Sequence, residues 1–431
     1  MSEQWAFIAT CDLVAQVRGR SAPYQKIIAN GAGVGWVPAD LAMSAFGAIA
    51  DPNPFGSLGD LRLVPDLTSE ITLPKSDPLV AATKLILANQ RDPELMPWAS
   101  CPRTFLEAAI ARLNSEFGVE VMASFEHEFV LTHADGRAIS GLPFGFDAYR
   151  EVEEFGAELI SLLTEFGYEP ESFLPEYGKG QFEVTIAPTT ALIAADRAIL
   201  LREIVRDTAK RCDMVATFAP LTSPDGVGNG VHVHLSLWKA GKPMTYEAGR
   251  QGDLSALAES AFAGILKHAQ SLVAFTAPSQ ISFMRLQPHR WSAGGICIAK
   301  ENREALLRIC PQIKFAHQDQ AKSFNVEYRA ADATANPWIV LGALIHAMTE
   351  GLRLRLAIER VIDAELDTVE GITPLPESLE KALEYLSRDL DVQGWFDPDM
   401  LSTFIGIRAS EAAEMKDLTP EERCARYVSV Y

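Results

Sequence analysis

Three segments of the chain alternate between apolar and polar residues. They span residues 121–131, 181–186 and 231–238. Such alternation is typical of a β-strand that packs one face against a core and turns the other toward solvent or a cleft. It therefore predicts three strands, each of which presents its polar side chains on one common face.

The polar faces of these strands carry ionisable side chains. Glu126 and Glu128 share one face of the first segment, Glu183 lies on the corresponding face of the second, and His232 and His234 lie on that of the third. A single pair of glutamates is most often a solvated outer face, and a pair of histidines is most often a satisfied polar surface. Three strands with the same arrangement favour one shared site instead.

The first 100 residues predict a small, β-rich N-terminal domain. Strands are expected at 5–10 and 61–64, and the span 31–59, rich in Gly, Ala and Pro, is expected to form a long loop. Thr104 stands three residues before a glutamate, the spacing of a capping box, so we expect a helix to start there and open the second domain.

The second domain, 101–431, combines the alternating strands with helical segments. Apolar stripes of helical period predict helices over 191–213, 255–272, 335–361, 379–388 and 398–415. Strands and helices in this mixture predict an α+β protein.

Composition and charge narrow the function. The chain has 431 residues, of which 48% are hydrophobic and 22% charged, and its net charge is −19. That charge argues against nucleic acid as the main partner, because phosphate backbones attract Lys and Arg. The six cysteines show no C-x-x-C spacing, which indicates reduced thiols. With no signal peptide and no apolar run of 18 residues, we expect no membrane partner and a cytoplasmic location.

Two more glutamates, in short stretches that also predict strands or strand edges, extend the acidic set. The full set is Glu126, Glu128, Glu176, Glu183, His232 and Glu327. Mg²⁺ and Mn²⁺ prefer oxygen ligands and accept an occasional imidazole. The set therefore predicts a cage for two divalent cations, which would offset the charge of a bound triphosphate.

Five cations fall within 45 positions of the second domain, namely Arg285, Arg303, Arg308, Lys322 and Arg329. Each alone is typical of an exposed surface cation. Grouped in a chain with excess acid, they favour binding of carboxylate and phosphate, because a guanidinium group can hold two oxygens at once.

Six stretches of the sequence resemble motifs of the glutamine synthetase superfamily, bacterial type. They are FEHEF at 125–129, PEYGKGQFEV at 175–184, GNGVHVHLSL at 228–237, MRLQP at 284–288, ENREALLRICP at 301–311 and VEYRAADATANP at 326–337. The ending TPEERCARY is also similar, so the resemblance runs from about residue 60 to the C-terminus. All six stretches in the same order make the resemblance highly specific.

The resemblance implies a role for each matched residue. Glu128, Glu176 and Glu183 match the ligands of one divalent ion, and Glu126, His232 and Glu327 match those of the second. Arg285 and Arg329 match arginines that hold the substrate glutamate, with Gly228 contributing backbone, and Arg303 matches an arginine at the transferred phosphate. Matches to nucleotide contacts are Glu171, His234, Ser236, Arg303, Arg308 and Lys322.

The resemblance also implies a fold and an assembly. The expected fold is a small β-grasp-like N-terminal domain followed by a large catalytic domain, whose antiparallel sheet forms a half-barrel with flanking helices. Members form rings of five or six subunits, usually stacked in pairs, so a homo-oligomeric decamer or dodecamer with active sites at subunit interfaces is expected. The expected cofactors are ATP and two to three Mg²⁺ or Mn²⁺ ions per site.

The sequence departs from the family pattern where ammonium would bind. The glutamate that follows the R-L-x-P stretch is replaced by Trp291, and no acid stands near Phe46, where an N-terminal aspartate is expected. Indole can neither take a proton nor balance ammonium. The asparagine before the glycine that binds glutamate is Val227, and an arginine near the nucleotide is Asn325.

These departures favour the branch of the superfamily that joins glutamate to larger amines, with Trp291 as an apolar wall. We therefore expect an ATP-dependent ligase that forms a γ-glutamyl amide through a γ-glutamyl phosphate, with Arg303, Arg285 and Trp291 closest to the chemistry. Three alternatives remain: an ammonia-using glutamine synthetase, a non-catalytic structural or sensory member, and a ligase whose acid is not glutamate, which Val227 leaves open although Arg285 and Arg329 favour an α-carboxylate. His289 and Asp51 are both candidates for the base that deprotonates the amine.

Overall fold

The computed structural model describes residues 4–75, 82–287, 290, 292–312 and 319–431. The N-terminal part contains β1 Trp5–Cys11, β2 Val17–Pro23, α1 Tyr24–Asn30, β3 Val34–Trp36, β4 Leu61–Pro65, β5 Ile71–Leu73 and β6 Thr83–Arg91. These strands form one sheet in the order β2-β1-β6-β4-β3, with β5 also paired to β6. The expected small β domain is confirmed.

The larger part follows with alternating strands and helices. Up to the middle of the chain these are α2 Pro102–Phe117, β7 Glu120–His133, α3 Phe146–Glu151, α4 Glu153–Glu165, β8 Pro170–Pro175, β9 Gln181–Ile186, β10 Thr189–Thr190, α5 Ala191–Arg211, β11 Met214–Thr217, β12 Val231–Lys239 and β13 Lys242–Pro243. The remainder are α6 Ala256–Thr276, α7 Ser282–Arg285, β14 Gly295–Lys300, β15 Ala305–Ile309, α8 Gln320–Ser323, β16 Val326–Tyr328, α9 Pro337–Leu354, β17 Thr373–Pro374, α10 Leu379–Arg388, α11 Leu390–Gln393, α12 Pro398–Met415 and α13 Pro420–Val428.

A second, larger sheet organises this part of the molecule. Its main path runs β17-β14-β15-β16-β12-β7-β9-β8, with β10 and β11 on β7 and β13 on β12. Within the described residues the pairs are antiparallel except β14 with β15. The three alternating segments of the sequence are therefore adjacent: β12 lies beside β7, and β7 lies beside β9.

Several element bounds differ from the sequence prediction. The span 31–59 is not one loop, because β3 lies within it and pairs with β4. The capping box at Thr104 is wrong: α2 begins at Pro102 after Cys101, and Thr104 lies inside the helix. Proline suits a first helical turn, which needs no backbone N–H there. The helix expected over 335–361 ends at Leu354, where Arg355 takes a left-handed conformation.

Two helices pack very closely behind the sheet. A Cβ atom added to Gly264 of α6 would lie 2.0 Å from the carbonyl oxygen of Ala347 in α9, and one added to Gly351 would lie 2.2 Å from that of Ser260. These glycines let the two backbones approach where a side chain would clash. All residues of α9 from Pro337 to Gly351 are buried.

Buried polar side chains tie the N-terminal part to the larger part. Arg103, only 1% exposed, pairs with Asp66 of the N-terminal part and with Asp196 of α5, both at 2.7 Å. Asn336 caps α9 through its Oδ1 and donates from Nδ2 to the carbonyls of Cys11 and Asp12. The two parts therefore share a hydrogen-bonded core.

None of the helices in the described part of the chain combines the length and the apolar run required to cross a bilayer.

Candidate active site

Strand register brings the predicted metal ligands to one face of the large sheet. On β12, His232 lies opposite Glu126 of β7, and His234 lies opposite Glu327 of β16. Glu128 of β7 lies opposite Glu183 of β9. Side chains directly opposite each other on neighbouring strands lie about 5 Å apart. Residues as far apart in sequence as Glu126 and Glu327 therefore come together on this face.

His232 lies at the centre of this group. Its Nδ1 is 3.5 Å from an oxygen of Glu126 and 3.4 Å from Oε1 of Glu327. One donor atom each from Glu126, Glu183 and His232 lies within 4.8 Å of the others. Carboxylate oxygens with a single imidazole are a donor set that suits Mg²⁺ or Mn²⁺, so these residues fit the divalent ions that the sequence predicts.

The acidic residues experience opposite electrostatic surroundings. Burial, together with the carboxylates of Glu126, Glu128, Glu176 and Glu327, raises the pKa of Glu183 to about 9. Burial alone would also raise the pKa of Glu327, but His232 and Arg329 bring it down to about 2. One end of the cluster thus lacks positive charge, whereas the other end is already neutralised.

Glu126 and His234 form a second polar pair beside His232. Burial opposes ionisation of both, yet the neighbouring imidazoles hold the pKa of Glu126 well below its ordinary value, and Glu126 raises that of His234 well above its own. His234 Nε2 lies 3.0 Å from Glu126 Oε1, although the N–H is not aligned for a hydrogen bond. Its Nδ1 lies 2.8 Å from Oδ1 of Asn325.

A cavity of about 720 Å³ opens over this face. Its wall includes five of the six predicted metal ligands, namely Glu126, Glu128, Glu176, Glu183 and His232. Gly228, Arg285, Arg303, Arg308 and Arg329 line the same cavity. The cavity thus brings together five of the six acidic-set residues and four of the five predicted cations; Glu327 and Lys322 are not part of its described lining.

The arginines are held firmly at the cavity wall. Arg285, 3% exposed, donates from Nη2 to the carbonyls of Ala330 and Ala331, and its buried Nε has no hydrogen-bond partner in the described structure. Arg308 Nη1 lies 2.8 Å from Oε2 of Glu327. Arg329 also pairs with Glu327, so one carboxylate orients two guanidinium groups.

The loop around Gly228 requires a residue without a side chain. A Cβ atom at Gly228 would lie 2.3 Å from Cγ of Arg285. The carbonyl of Gly228 accepts a hydrogen bond from Nε2 of Gln181 at 2.9 Å, and the N–H of Gly230 donates to Glu128 at 2.6 Å. These bonds fix the loop against β9 and β7.

Four predicted nucleotide contacts lie outside the described lining of the cavity. His234 and Ser236 lie further along β12 on the same face as His232, and Ser236 accepts a hydrogen bond from Nε1 of Trp238. Glu171 on β8 and Lys322 on α8 are exposed. Trp291 and His289 lie outside the described residues.

The cavity also contains residues that the sequence analysis missed. Phe144, Leu174, Tyr177 and Asp225 line it, as does Arg290. Phe144 and Tyr177 are each 56% exposed. Exposed aromatic residues in irregular segments leave no periodic signal, although Tyr177 stands inside the PEYG stretch already singled out.

Comparison with solved structures identifies the fold. A crystal structure described as a novel glutamine synthase homolog superposes with a TM-score of 0.92 and 37% identity over 100% of this chain and 99% of that chain. The structure titled GmaS/ADP complex superposes with a TM-score of 0.82 and 26% identity over 98% and 96% of the two chains. The fold is therefore the glutamine synthetase fold.

Sequence comparison gives the same family. Residues 99–427 match the family model of the glutamine synthetase catalytic domain, and residues 3–98 match that of the glutamine synthetase N-terminal domain. The chain belongs to the glutamine synthetase family, whose members are ATP-dependent ligases that use divalent metals and generally form oligomers.

Two relatives illustrate the range of the family. Gamma-glutamylpolyamine synthetase GlnA3 of Streptomyces coelicolor is 31% identical over 97% of this chain and 92% of its own. Type-1 glutamine synthetase 1 of Dictyostelium discoideum is 28% identical over 87% of this chain and 78% of its own.

Proposed function

We propose that this protein joins the γ-carboxylate of L-glutamate to an organic amine at the expense of ATP. The product would be a γ-glutamyl amide and the intermediate a γ-glutamyl phosphate. One observation carries the proposal: a single cavity is lined by five metal-ligand candidates, five arginines and a set of apolar side chains. Similarity to a gamma-glutamylpolyamine synthetase supports the same choice of acceptor.

The acidic face would hold the divalent ions. In the proposed arrangement Glu128, Glu176 and Glu183 bind one ion, and Glu126, His232 and Glu327 bind the other. Bound Mg²⁺ would supply charge neutralisation for the transferred phosphoryl group. The raised pKa of Glu183 supports this assignment, because a carboxyl that lacks a nearby cation is where a bound ion relieves most repulsion.

The arginines would orient the acid and the phosphate. Arg285 and Arg329 are proposed to hold the α-carboxylate of glutamate, with the backbone at Gly228. The unpartnered Nε of Arg285 leaves a donor for a ligand oxygen. Arg303 is proposed at the transferred phosphoryl group, and Arg308 toward the nucleotide with Glu171, His234, Ser236 and Lys322. Because a carboxylate is a poor acyl donor, phosphorylation is the step that makes amide formation feasible.

The acceptor would lie against the apolar part of the wall. Phe144, Leu174, Tyr177 and Val227 give the cavity an apolar surface that an ammonium ion cannot use and an alkyl or aryl group can. Asp225 on the same wall offers the negative charge that a protonated amine prefers. Trp291, which the sequence proposes as a further apolar wall, lies outside the described residues.

An amine panel tests the proposal. Purified protein would receive ATP, Mg²⁺ and glutamate with ammonium, methylamine, ethanolamine, putrescine, spermidine or aniline, and products would be identified by mass. We expect a γ-glutamyl amide and an equal amount of ADP with at least one organic amine. Product formation with ammonium alone would make the protein a glutamine synthetase and overturn the proposed acceptor.

A matched pair of variants tests whether turnover depends on the proposed metal ligand Glu327. Glu327→Gln keeps the shape of the side chain but removes the charge between His232 and two arginines. We expect turnover to fall by about 100-fold or more, because residues that only support a metal ligand already cost roughly 10–100-fold when changed. Glu165→Gln, at an exposed position on α4, is the control. Wild-type protein without activity toward any amine or ammonium would favour the non-catalytic alternative.

A further inference from the structure

We propose that His234, Cys310 and Glu327 form a separate site for a thiophilic divalent cation such as Zn²⁺. The site lies beside the proposed magnesium ligands and shares Glu327 with them. Its thiol has no part in the proposed ligase reaction, so binding at this site can be tested independently of catalysis.

Three strands bring the donors together. β12 and β16 place His234 directly opposite Glu327. Cys310 follows β15, and its backbone N–H donates to the carbonyl of Asn325 at 3.2 Å, immediately before β16 begins. One ligand atom from each of the three side chains lies within 4.8 Å of the other two.

The spacing of nitrogen and sulfur matches a zinc site. Zinc binds histidine nitrogen at about 2.0 Å and cysteine sulfur at about 2.3 Å in tetrahedral geometry, which separates the two ligand atoms by roughly 3.5 Å. Sγ of Cys310 lies 3.6 Å from Nδ1 of His234. The two side chains therefore already stand at one edge of a tetrahedron.

The orientation of the imidazole also suits a metal ligand. When Nδ1 binds a metal, the other ring nitrogen usually faces a carboxylate or carbonyl that fixes the ring. Nε2 of His234 lies 3.0 Å from Oε1 of Glu126, so a carboxylate is near the second ring nitrogen, although the N–H is not aligned on it. Zinc would replace the contact from Nδ1 to Asn325 and would compete with Arg308 and Arg329 for the oxygens of Glu327.

The donor set selects against magnesium. Mg²⁺ and Ca²⁺ take oxygen ligands, whereas thiolate sulfur favours Zn²⁺ and related ions. Cys310 is 8% exposed, and on binding its thiol would release a proton to solvent as the thiolate–metal bond forms. Three protein ligands leave a fourth position for water.

Another trio of donors in the described residues differs in one important respect. His268, Glu350 and Asp391 also converge within 4.8 Å. Lys267 pairs with both Glu350 and Asp391, however, so an ammonium group already occupies the place of a cation. In the proposed zinc site Glu327 pairs with Arg308 and Arg329, but no Lys or Arg side chain is described in a hydrogen bond or ion pair with His234 or Cys310, so the nitrogen and sulfur donors remain open to a metal.

Cobalt spectroscopy tests the site without any enzymatic assay. Chelator-treated full-length protein would be titrated with Co²⁺, a spectroscopic substitute for Zn²⁺. We expect a near-ultraviolet thiolate-to-cobalt band that saturates at one ion per chain and disappears when Zn²⁺ is added. Cys310→Ser should lose the band, whereas Cys424→Ser, which removes a buried thiol on α13, should keep it.

A measurement on the wild type covers the case in which Cys310→Ser does not fold. X-ray absorption of the zinc-loaded protein should show one sulfur at about 2.3 Å and otherwise nitrogen and oxygen. A zinc shell without sulfur, or a cobalt band that survives in folded Cys310→Ser, would overturn the proposal.

Inhibition is a consequence that rests on the proposed function. Zinc bound to Glu327 would disturb the neighbouring magnesium ligands. Stoichiometric Zn²⁺ should therefore inhibit the turnover of wild-type protein in saturating Mg²⁺. It should inhibit the turnover of Cys310→Ser at least tenfold less. If the cobalt band is present but no ligase activity is found, the zinc site stands and the proposed function fails. If ligase activity is present but the cobalt band is absent, the proposed function stands and the zinc site fails.

Discussion

The charge around Glu183 has a direct thermodynamic consequence. The pKa of Glu183 rises from an ordinary 4.5 to about 9 in the folded protein without metal. Between these values the folded chain keeps a proton that the unfolded chain has released, so the stability of metal-free protein falls as pH rises. Bound Mg²⁺ would reverse this trend, because it favours the ionised carboxylate.

Glu183→Gln should remove this pH dependence. We expect the thermal midpoint of chelator-treated wild type to fall more between about pH 6 and pH 8 than that of Glu183→Gln, because the amide cannot lose a proton. Glu171→Gln, at an exposed carboxylate on the adjacent strand, should behave like wild type. Equal slopes for all three proteins would show that Glu183 is not the group that titrates.

Phe144 is the residue through which the amine pocket can be tested most directly. Phe144→Ala removes an aromatic ring from the cavity wall, so we expect the KM for an organic amine to rise about tenfold while the KM for ATP stays unchanged. Phe146→Ala is the matched control: Phe146 is 71% exposed and stacks on Tyr149 outside the cavity lining. Similar effects of both substitutions on amine KM would remove Phe144 from the acceptor pocket.

Sequence patterns locate the site residues that follow the two-residue alternation of a β-strand. Glu126, Glu128, Glu183 and His232 alternate with buried neighbours, and the alternation alone indicated a common face. Phe144 is different. It takes a positive φ of 56° just before α3, and nothing in the order of apolar and polar residues indicates that it reaches the cavity. Only the three-dimensional path of the loop decides that.

Element boundaries are also predictable only where they end a clear periodic pattern. The bounds of β9, α10 and α12 agree with the sequence, because a clear apolar pattern ends at turn or capping residues. Thr104 has the spacing of a capping box but lies inside α2, because Pro102 already favours a helical first turn. β3 was missed in a Gly-rich span, since only its pairing with β4 defines it.

The close approach of α6 and α9 can be tested by adding a single methyl group. Gly264→Ala would put a Cβ 2.0 Å from a backbone carbonyl of α9, so the two helices must separate. We expect a loss of about 1–3 kcal/mol of unfolding free energy, seen as a lower urea midpoint. Gly56→Ala makes the same chemical change where no atom lies within 4 Å, and should be nearly neutral.

Two leucines of the described structure are almost fully exposed. Leu58 is 87% exposed and Leu142 is 78% exposed. Members of the family generally form oligomers. We propose that this chain forms a ring-based homo-oligomer, a decamer or a dodecamer, with active sites at subunit interfaces.

Native mass measurement tests this directly. We predict a species several times heavier than the 47.1 kDa chain by sedimentation velocity and native mass spectrometry, unchanged on tenfold dilution. A single 47.1 kDa species that is nonetheless active would contradict both the assembly and the expectation that a neighbouring subunit completes the site.

The order of the strands along the chain sets the order in which the parts of the site leave the ribosome. β7 pairs with both β9 and β12, and these three strands carry Glu126, Glu128, Glu183 and His232. Arg308 and Arg329 reside in or just beyond strands that are synthesised roughly 70 or more residues later. A nascent chain would therefore gather its carboxylates before their balancing cations exist, and we expect free Mg²⁺ during translation to speed productive folding.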